Sequence, residues 1–237
     1  MKVQGSEFIK SRKPLLERLL ERLLEQYSYA SVLAVDSKSK YYSVSKRNMG
    51  TGEDDLASTR GFVVKVSDGA HDTEYSFNQI SEENLEQICR NIRRLSEASD
   101  KILPQGLTES CFQAPAEEKT AFAGSTDYEV DPEEMGDAGI LRHLTKIKEK
   151  GLAVSEDILD CRVFCSWQKY SKLFLSREKD LEQNVMLTTG AISFMAARGE
   201  EIKDYYMPYS GLGGAELLLN GVVKVDGVSA VNGDIFP

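Results

Sequence analysis

Leucines recur in pairs near the start of the chain, at Leu15/Leu16, Leu19/Leu20 and Leu23/Leu24. A repeat of four residues keeps them on one side of a helix, and Pro14 stands where a first helical turn tolerates proline. The opposite side carries Glu17, Arg18, Glu21, Arg22 and Glu25. Arg18 to Glu21 and Arg22 to Glu25 have the spacing of weak ion pairs. The leucine stripe is expected to pack in a core, with a partner interface as its other use.

Beyond Ser31 the period shortens to that of strands. Ser31–Val35 and Tyr41–Lys46, separated by the polar stretch Asp36–Lys40, predict a hairpin. A loop at Gly50–Asp55 follows. Gly61–Val66 and Thr73–Phe77 then read as strands around a turn at Ser67-Asp68-Gly69. Ser81 caps a second helix, with Glu82 and Glu83 in its first turn and Leu85, Ile88, Ile92 and Leu95 on one side. From about Ser99 to Val130 no period is sustained, which predicts a surface connection. Asp131-Pro132-Glu133-Glu134 opens a third helix, and Ile140, Leu141, Leu144 and Ile147 continue its apolar side towards Gly151. Ile158–Trp167, Lys172–Ser176, Asn184–Thr189 and Ala191–Ala197 read as a strand meander, with turns near Gln168, Glu178 and Glu200. No segment repeats another at a fixed period.

The expected class is α+β, with antiparallel sheets and packed amphipathic helices. The expected organisation is 1–98 (helix, four strands, helix), 99–130 (surface connection), 131–216 (helix plus meander) and 217–237, an atypical tail. In that tail, Asn220-Gly221 and Asp226-Gly227 predict a small hairpin.

A length of 237 residues suffices to bury a core without staples, and 41% hydrophobic with 28% charged residues is ordinary for a folded chain. The net charge of −9 opposes a phosphate backbone, and the basic residues near Lys10, Arg12 and Lys13 run into glutamates. Nucleic acid is therefore not an expected partner. Met1–Lys13 lacks the apolar centre of a signal peptide, and no run approaches the roughly 20 apolar residues of a membrane span. Together with four sparse cysteines and no CxxC spacing, this predicts a cytoplasmic protein with reduced thiols and no membrane partner.

Candidate chemistry is thin. Cys161 and Cys165, four apart on a strand, share one side as small core residues; a metal pair is the alternative use of that spacing. His71 and His143 are the only histidines and read as ordinary surface residues, one in a turn and one on a helix. Ser43 and Lys46 have the serine-x-x-lysine spacing of some hydrolases, but that chemistry wants a buried helix start rather than a strand. Gly211-Leu212-Gly213-Gly214 lacks the lysine and the βαβ setting of a phosphate cradle and is expected to be a flexible turn. The neighbours Asp54/Asp55 and Glu133/Glu134 are expected to be solvated. No catalytic, cofactor-binding or metal-binding residue is assigned.

Two stretches carry a resemblance. Arg60-Gly61-Phe62-Val63-Val64-Lys65-Val66-Ser67-Asp68-Gly69, followed by Ser81-Glu82-Glu83-Asn84-Leu85-Glu86-Gln87-Ile88, resembles the TldD/PmbA family, in which a glycine-led strand and short turn precede a helix opened by serine and acidic residues. Tyr170-Ser171-Lys172-Leu173-Phe174-Leu175-Ser176, continuing through Val185–Ala197 to Gly211-Leu212-Gly213-Gly214-Ala215-Glu216, is similar to that family's strand meander and glycine pair. The resemblance spans about residues 14 to 216 through weak, dispersed motifs.

It implies the amino-terminal half of a zinc metallopeptidase whose second half holds a His-Glu-x-x-x-His motif and a cysteine ligand, with zinc expected only there. Two imidazoles a turn apart can share a metal whose bound water becomes a nucleophile near neutral pH. This chain lacks the motif and is expected to be inactive alone. The implied role is to shape a cavity for unfolded peptides and to pair subunits, as a homo- or hetero-oligomer with a TldD/PmbA relative. The alternative is a stand-alone, non-enzymatic interaction protein that pairs with a full-length zinc-bearing relative. The family's association with DNA gyrase modulation comes through resemblance only. Leu217–Pro237 departs from the helix expected to lead into a second half, which fits either a shortened frame or a shorter relative with its own ending.

Overall fold

The computed structural model describes residues 1–54, 57–69, 71–102, 118–219, 223–225 and 228–230. In chain order its strands are β1 (Tyr29–Val44), β2 (Met49–Glu53), β3 (Arg60–Ser67), β4 (Asp72–Phe77), β5 (Thr120–Ser125), β6 (Ile158–Ser176), β7 (Lys179–Arg198) and β8 (Glu201–Leu212), with the short pair β9 (Val223–Val225) and β10 (Val228–Ala230) at the end. The first eight form one sheet in the order β4-β3-β1-β6-β7-β5, with β2 added to β1 and β8 to β7. All its pairings are antiparallel except β5 with β7. The class is α+β, as expected.

Every described helix packs on one side of this sheet. Side chains alternate across a strand, and β6 shows it along most of its length, with Cys161, Val163, Cys165, Trp167, Ser171, Leu173 and Leu175 buried and Arg162, Phe164 and Lys172 exposed. Strands of 16 to 20 residues extend for roughly 50 to 65 Å, more than one helix layer covers. The covered face accordingly carries two apolar cores. In the first, Ile9 of α1 (Glu7–Lys10), the leucines of α2 (Lys13–Leu24) and Leu85, Ile88 and Ile92 of α3 (Leu85–Ile102) close over Val32, Phe62, Val64, Leu173 and Leu175. In the second, Ile140 and Leu144 of α4 (Pro132–Leu152) and Leu218 of α5 (Glu216–Leu219) close over Tyr42, Val163, Trp167 and Ile192. Leu16, Leu19, Leu20 and Leu23 are all buried, each contributing about 1.5–3 kcal/mol by leaving water. The stripe is core.

Between the cores runs a polar belt in which Asp36, Lys38, Lys40, Lys169, Ser171 and Asn184 point to the helix side. This belt explains the main departures from expectation. The predicted hairpin at Asp36–Lys40 does not exist: β1 runs unbroken through it, because those residues keep their ladder bonds to β6 while their side chains meet polar partners. The turn expected near Gln168 is likewise the middle of β6, and β7 passes straight through Gly190. Polarity marked the belt, not a reversal of the chain.

Other elements differ from expectation too. β2 occupies the predicted loop after Gly50, β5 falls inside the stretch read as a connection, and β8 runs beyond the turn at Glu200. β8 is exposed at most of its positions, so it shows no hydrophobic alternation. Residues 103–117 lie outside the described residues, as do Asn220-Gly221 and Asp226-Gly227, although β9 and β10 themselves pair antiparallel. On α2, Arg18 and Arg22 pair with Glu82 and Glu86 across to the α3 segment instead of with Glu21 and Glu25. Leu95 ends up 41% exposed rather than in the core.

Candidate interaction surface

The polar belt brings Lys38, Lys40 and Lys169 together with Asp131, Glu133 and Asp137. Asp131 caps α4 by accepting from the Glu133 amide at 2.9 Å, and Pro132 follows in the first turn. After this turn Gly136 adopts φ 69°, ψ 163° and breaks the helix, a conformation open to glycine at little cost. The break lets carboxylates on both sides of it face the belt. Lys169 donates to Asp131 at 2.8 and 2.7 Å and to Glu133 at 2.6 Å; Lys38 reaches Glu133 at 2.6 Å and Lys40 reaches Asp137 at 2.6 Å. The buried Tyr42 hydroxyl donates to Asp137 at 2.9 Å and accepts from the Trp167 indole at 3.3 Å.

These contacts move the ionisations. Burial alone would lift the Glu133 carboxyl, but hydrogen bonds from Lys169 and Lys38 outweigh it and hold the group below the usual range. Lys40, aided by Tyr42, does the same for Asp137 against a smaller burial effect. Burial would lower the Lys169 ammonium, yet Asp131 and Glu133 raise it. Tyr42 is pushed up chiefly by burial. Each of these lysines has a carboxylate partner, so the belt anchors α4 to β1 and β6. Glu133 and Glu134 are both exposed, as expected, and Glu133 is in addition a paired member of the belt.

The other singled-out residues fall apart from one another. Lys46 donates to the Leu159 carbonyl at 3.2 Å, and its amide binds Asp160 at 2.9 Å. Ser43 lies on the uncovered side of β1. Cys161 and Cys165 do share one side, fully buried in the second core, where desolvation pushes their thiols up to about 11 and about 12. Among the described residues no three His, Cys, Asp or Glu side chains group as a metal site. His71 sits in the turn before β4. His143 is not a plain surface residue, because its Nε2 lies 2.9 Å from the Leu218 carbonyl and ties α4 to α5. Asp54 is described, whereas Asp55 lies outside the described residues.

Gly211–Gly214 is not a flexible turn either. Thr188 Oγ donates to the carbonyls of Gly213 and Gly214, and the buried Glu216 carboxylate accepts from the Gly214 amide at 2.7 Å and the Val130 amide at 2.9 Å. A Cβ at Gly214 would sit 2.1 Å from the Val130 carbonyl. The glycine pair therefore closes a clamp between the bend before α4 and the end of β8. Nothing in the sequence signals it, because its partners, Val130 and Thr188, are distant in the chain.

Among the described residues, no helix covers the other side of the sheet. A strap formed by Ala57 and Ser58 binds Ser37, Ser39 and Gln168 near its middle. To one side of the strap, Leu33, Val35, Gly61 and Val63 floor an open groove of about 530 Å³ edged by Arg60 and Asn78. To the other, Phe164 is 36% exposed and Tyr206 of β8 is 66% exposed. The outer edge of β8 carries no further strand among the described residues. No described helix is long and apolar enough to cross a membrane.

Helix cover on one side of a long, mostly antiparallel sheet defines an α+β domain. No protein-family model and no curated protein matches the sequence. Solved structures do share the fold. A candidate modulator of DNA gyrase from Bacteroides thetaiotaomicron superposes with a TM-score of 0.62 at 14% identity, over 86% of this chain and 45% of that one. TldE from Thermococcus kodakarensis gives 0.56 at 11% identity, over 82% and 42%, and a candidate gyrase modulator from Thermotoga maritima gives 0.56 at 12%, over 82% and 43%. The expected likeness thus holds in the fold, and the chain spans less than half the length of these structures, consistent with an amino-terminal half.

Proposed function

We propose that this chain is a TldD/PmbA relative that serves as the non-catalytic, amino-terminal type of domain of a metallopeptidase, shaping the cavity that admits unfolded peptides and pairing subunits. The observation that carries this reading is the shared fold over more than four-fifths of the chain but less than half of its neighbours. The bare sheet face supports it, since an apolar-floored surface is what a wall around extended polypeptide requires. The sequence holds no His-Glu-x-x-x-His motif, so zinc and cleavage would belong to a further segment or to a partner.

A second reading, a stand-alone interaction protein that joins a zinc-bearing relative, rests on the exposed side chains of strand β8. The intact mass and zinc content of the native product, captured from its own cell, separate the two. A mass near twice 26.4 kDa with zinc supports the half-enzyme. A product of 26.4 kDa that copurifies with a larger zinc-bearing relative supports the accessory role. A product of 26.4 kDa with neither zinc nor such a relative would remove both.

A further inference from the structure

The second half of α4 carries a row of cations without a carboxylate partner among the described residues. Between Ala138 and Leu152 stand Arg142, Lys146, Lys148 and Lys150 against a single acid, Glu149, in a chain of net charge −9. Arg142, Lys146 and Lys150 are exposed and make no ion pair. Each is four residues from the next, so at about 1.5 Å and 100° per residue they form a ridge roughly 12 Å long. It lies on the side turned away from the buried Ile140 and Leu144. The exposed arginines of α2 behave differently, since Arg18 reaches Glu82 and Arg22 reaches Glu86. On α4, Arg142 faces Lys146 and Lys146 faces Lys150, like charges at a spacing that disfavours the helix. The helix dipole favours Lys150 in the last turn but fades before Arg142.

We propose that this ridge binds a short acidic stretch of another polypeptide, whose carboxylates relieve the repulsion along α4. Three cations over about 12 Å match three or four consecutive acidic residues of an extended chain, at about 3.3 Å per residue. A nucleic acid fits less well, because it continues past so short a ridge. Its further phosphates would meet a surface drawn from 38 acidic against 29 basic residues, which repels them. At the C-terminal end of α4 the surface continues onto the sheet. There the Phe194 ring lies against Gly151, and its cross-strand neighbour Tyr205 is 58% exposed on the same side. Lys203, two residues from Tyr205 and so on that side too, is exposed as well. Tyr205 offers a ring for an apolar residue flanking the acidic run, and Lys203 a further cation. This inference goes beyond the proposed function and needs neither a zinc-bearing segment nor a relative, so its failure would leave that reading untouched.

The test uses the full chain and a fluorescein-labelled peptide with a run of glutamates between glycines, followed by fluorescence anisotropy. Binding is expected at about 0.1 M salt and should vanish towards about 1 M, where the screening length shrinks to about 3 Å. Arg142→Glu with Lys146→Glu should weaken it about two- to thirtyfold per reversal, each removing one exposed ion pair and adding one repulsion. Arg142→Gln with Lys146→Gln, milder for the helix, should weaken it in the same direction but less. Arg90→Glu with Arg94→Glu on α3 changes the net charge equally and should weaken it far less. In the unbound chain Lys146→Gln removes a charge from between two like charges, so the melting temperature should hold or rise. A fall would show that the lysine serves the fold, and would overturn the proposal. So would no binding of the peptide, equal weakening by the α3 pair, or a single-stranded oligonucleotide of similar charge binding more tightly than the peptide.

Discussion

Replacing Glu216 by Gln tests whether the glycine clamp holds the second core. Glu216 is 9% exposed and each of its carboxylate oxygens accepts one backbone N–H, from Gly214 at 2.7 Å and from Val130 at 2.9 Å. A glutamine keeps the shape but offers one acceptor, so whichever way the amide turns, its NH₂ faces a backbone donor. One hydrogen bond to a charged acceptor is lost, worth about 1.5–3 kcal/mol, and one buried N–H stays unpaired. Glu216→Ala strands both donors and is expected to cost more than Glu216→Gln. Urea unfolding followed by the fluorescence of Trp167, the sole tryptophan and 3% exposed in the same core, reads the loss directly. The midpoint should fall with an unchanged slope, and the melting temperature should drop by about 3 to 12 °C. A Gln variant within about 0.5 kcal/mol of the parent would refute the clamp, since surface changes fall in that range.

The belt gives a pH signature. Glu133 and Asp137 are held below their ordinary values of 4.5 and 3.8, so their contribution to stability is present above those values and lost as pH falls through the lower folded ones. Stability against urea should therefore decline below about pH 4.5, and Lys169→Met should flatten the Glu133 part of that decline. Lys169, raised above 10.5, acts in the opposite sense: its contribution is present below that value and lost as pH climbs through the folded one, visible as an alkaline loss absent from Lys169→Met. For the cysteines, the Cys111→Ser chain should show no thiol reactive towards a disulfide reagent at pH 8 until denaturant is added, because Cys89, Cys161 and Cys165 are all buried and desolvation pushes each thiol upward. Fast labelling of any one in the folded chain would contradict its placement in the core.

Local chemistry alone makes several elements legible in the sequence. The paired leucines of α2, the Asp131-Pro132 start of α4 and the alternation of β3 each carry their period within a few residues, and local sterics and capping suffice to realise them. The α+β class follows from their order, and the resemblance to TldD/PmbA chains is carried by the residues of 60–69, 81–88 and 170–216.

Tertiary structure decided the rest. Polar runs at Asp36–Lys40 and around Gln168 look like turns in isolation, and only the arrival of Lys169, Asp131, Glu133 and Asp137 from other elements lets those residues stay extended. β8 is a strand because β7 supplies its ladder, not because its side chains alternate. Glu216 carries no local mark of burial in the sequence; Val130, 86 residues away, brings it an amide. In each case the determining contact lies far along the chain, where a sequence period carries no signal and only the folded packing brings the partners within hydrogen-bonding range.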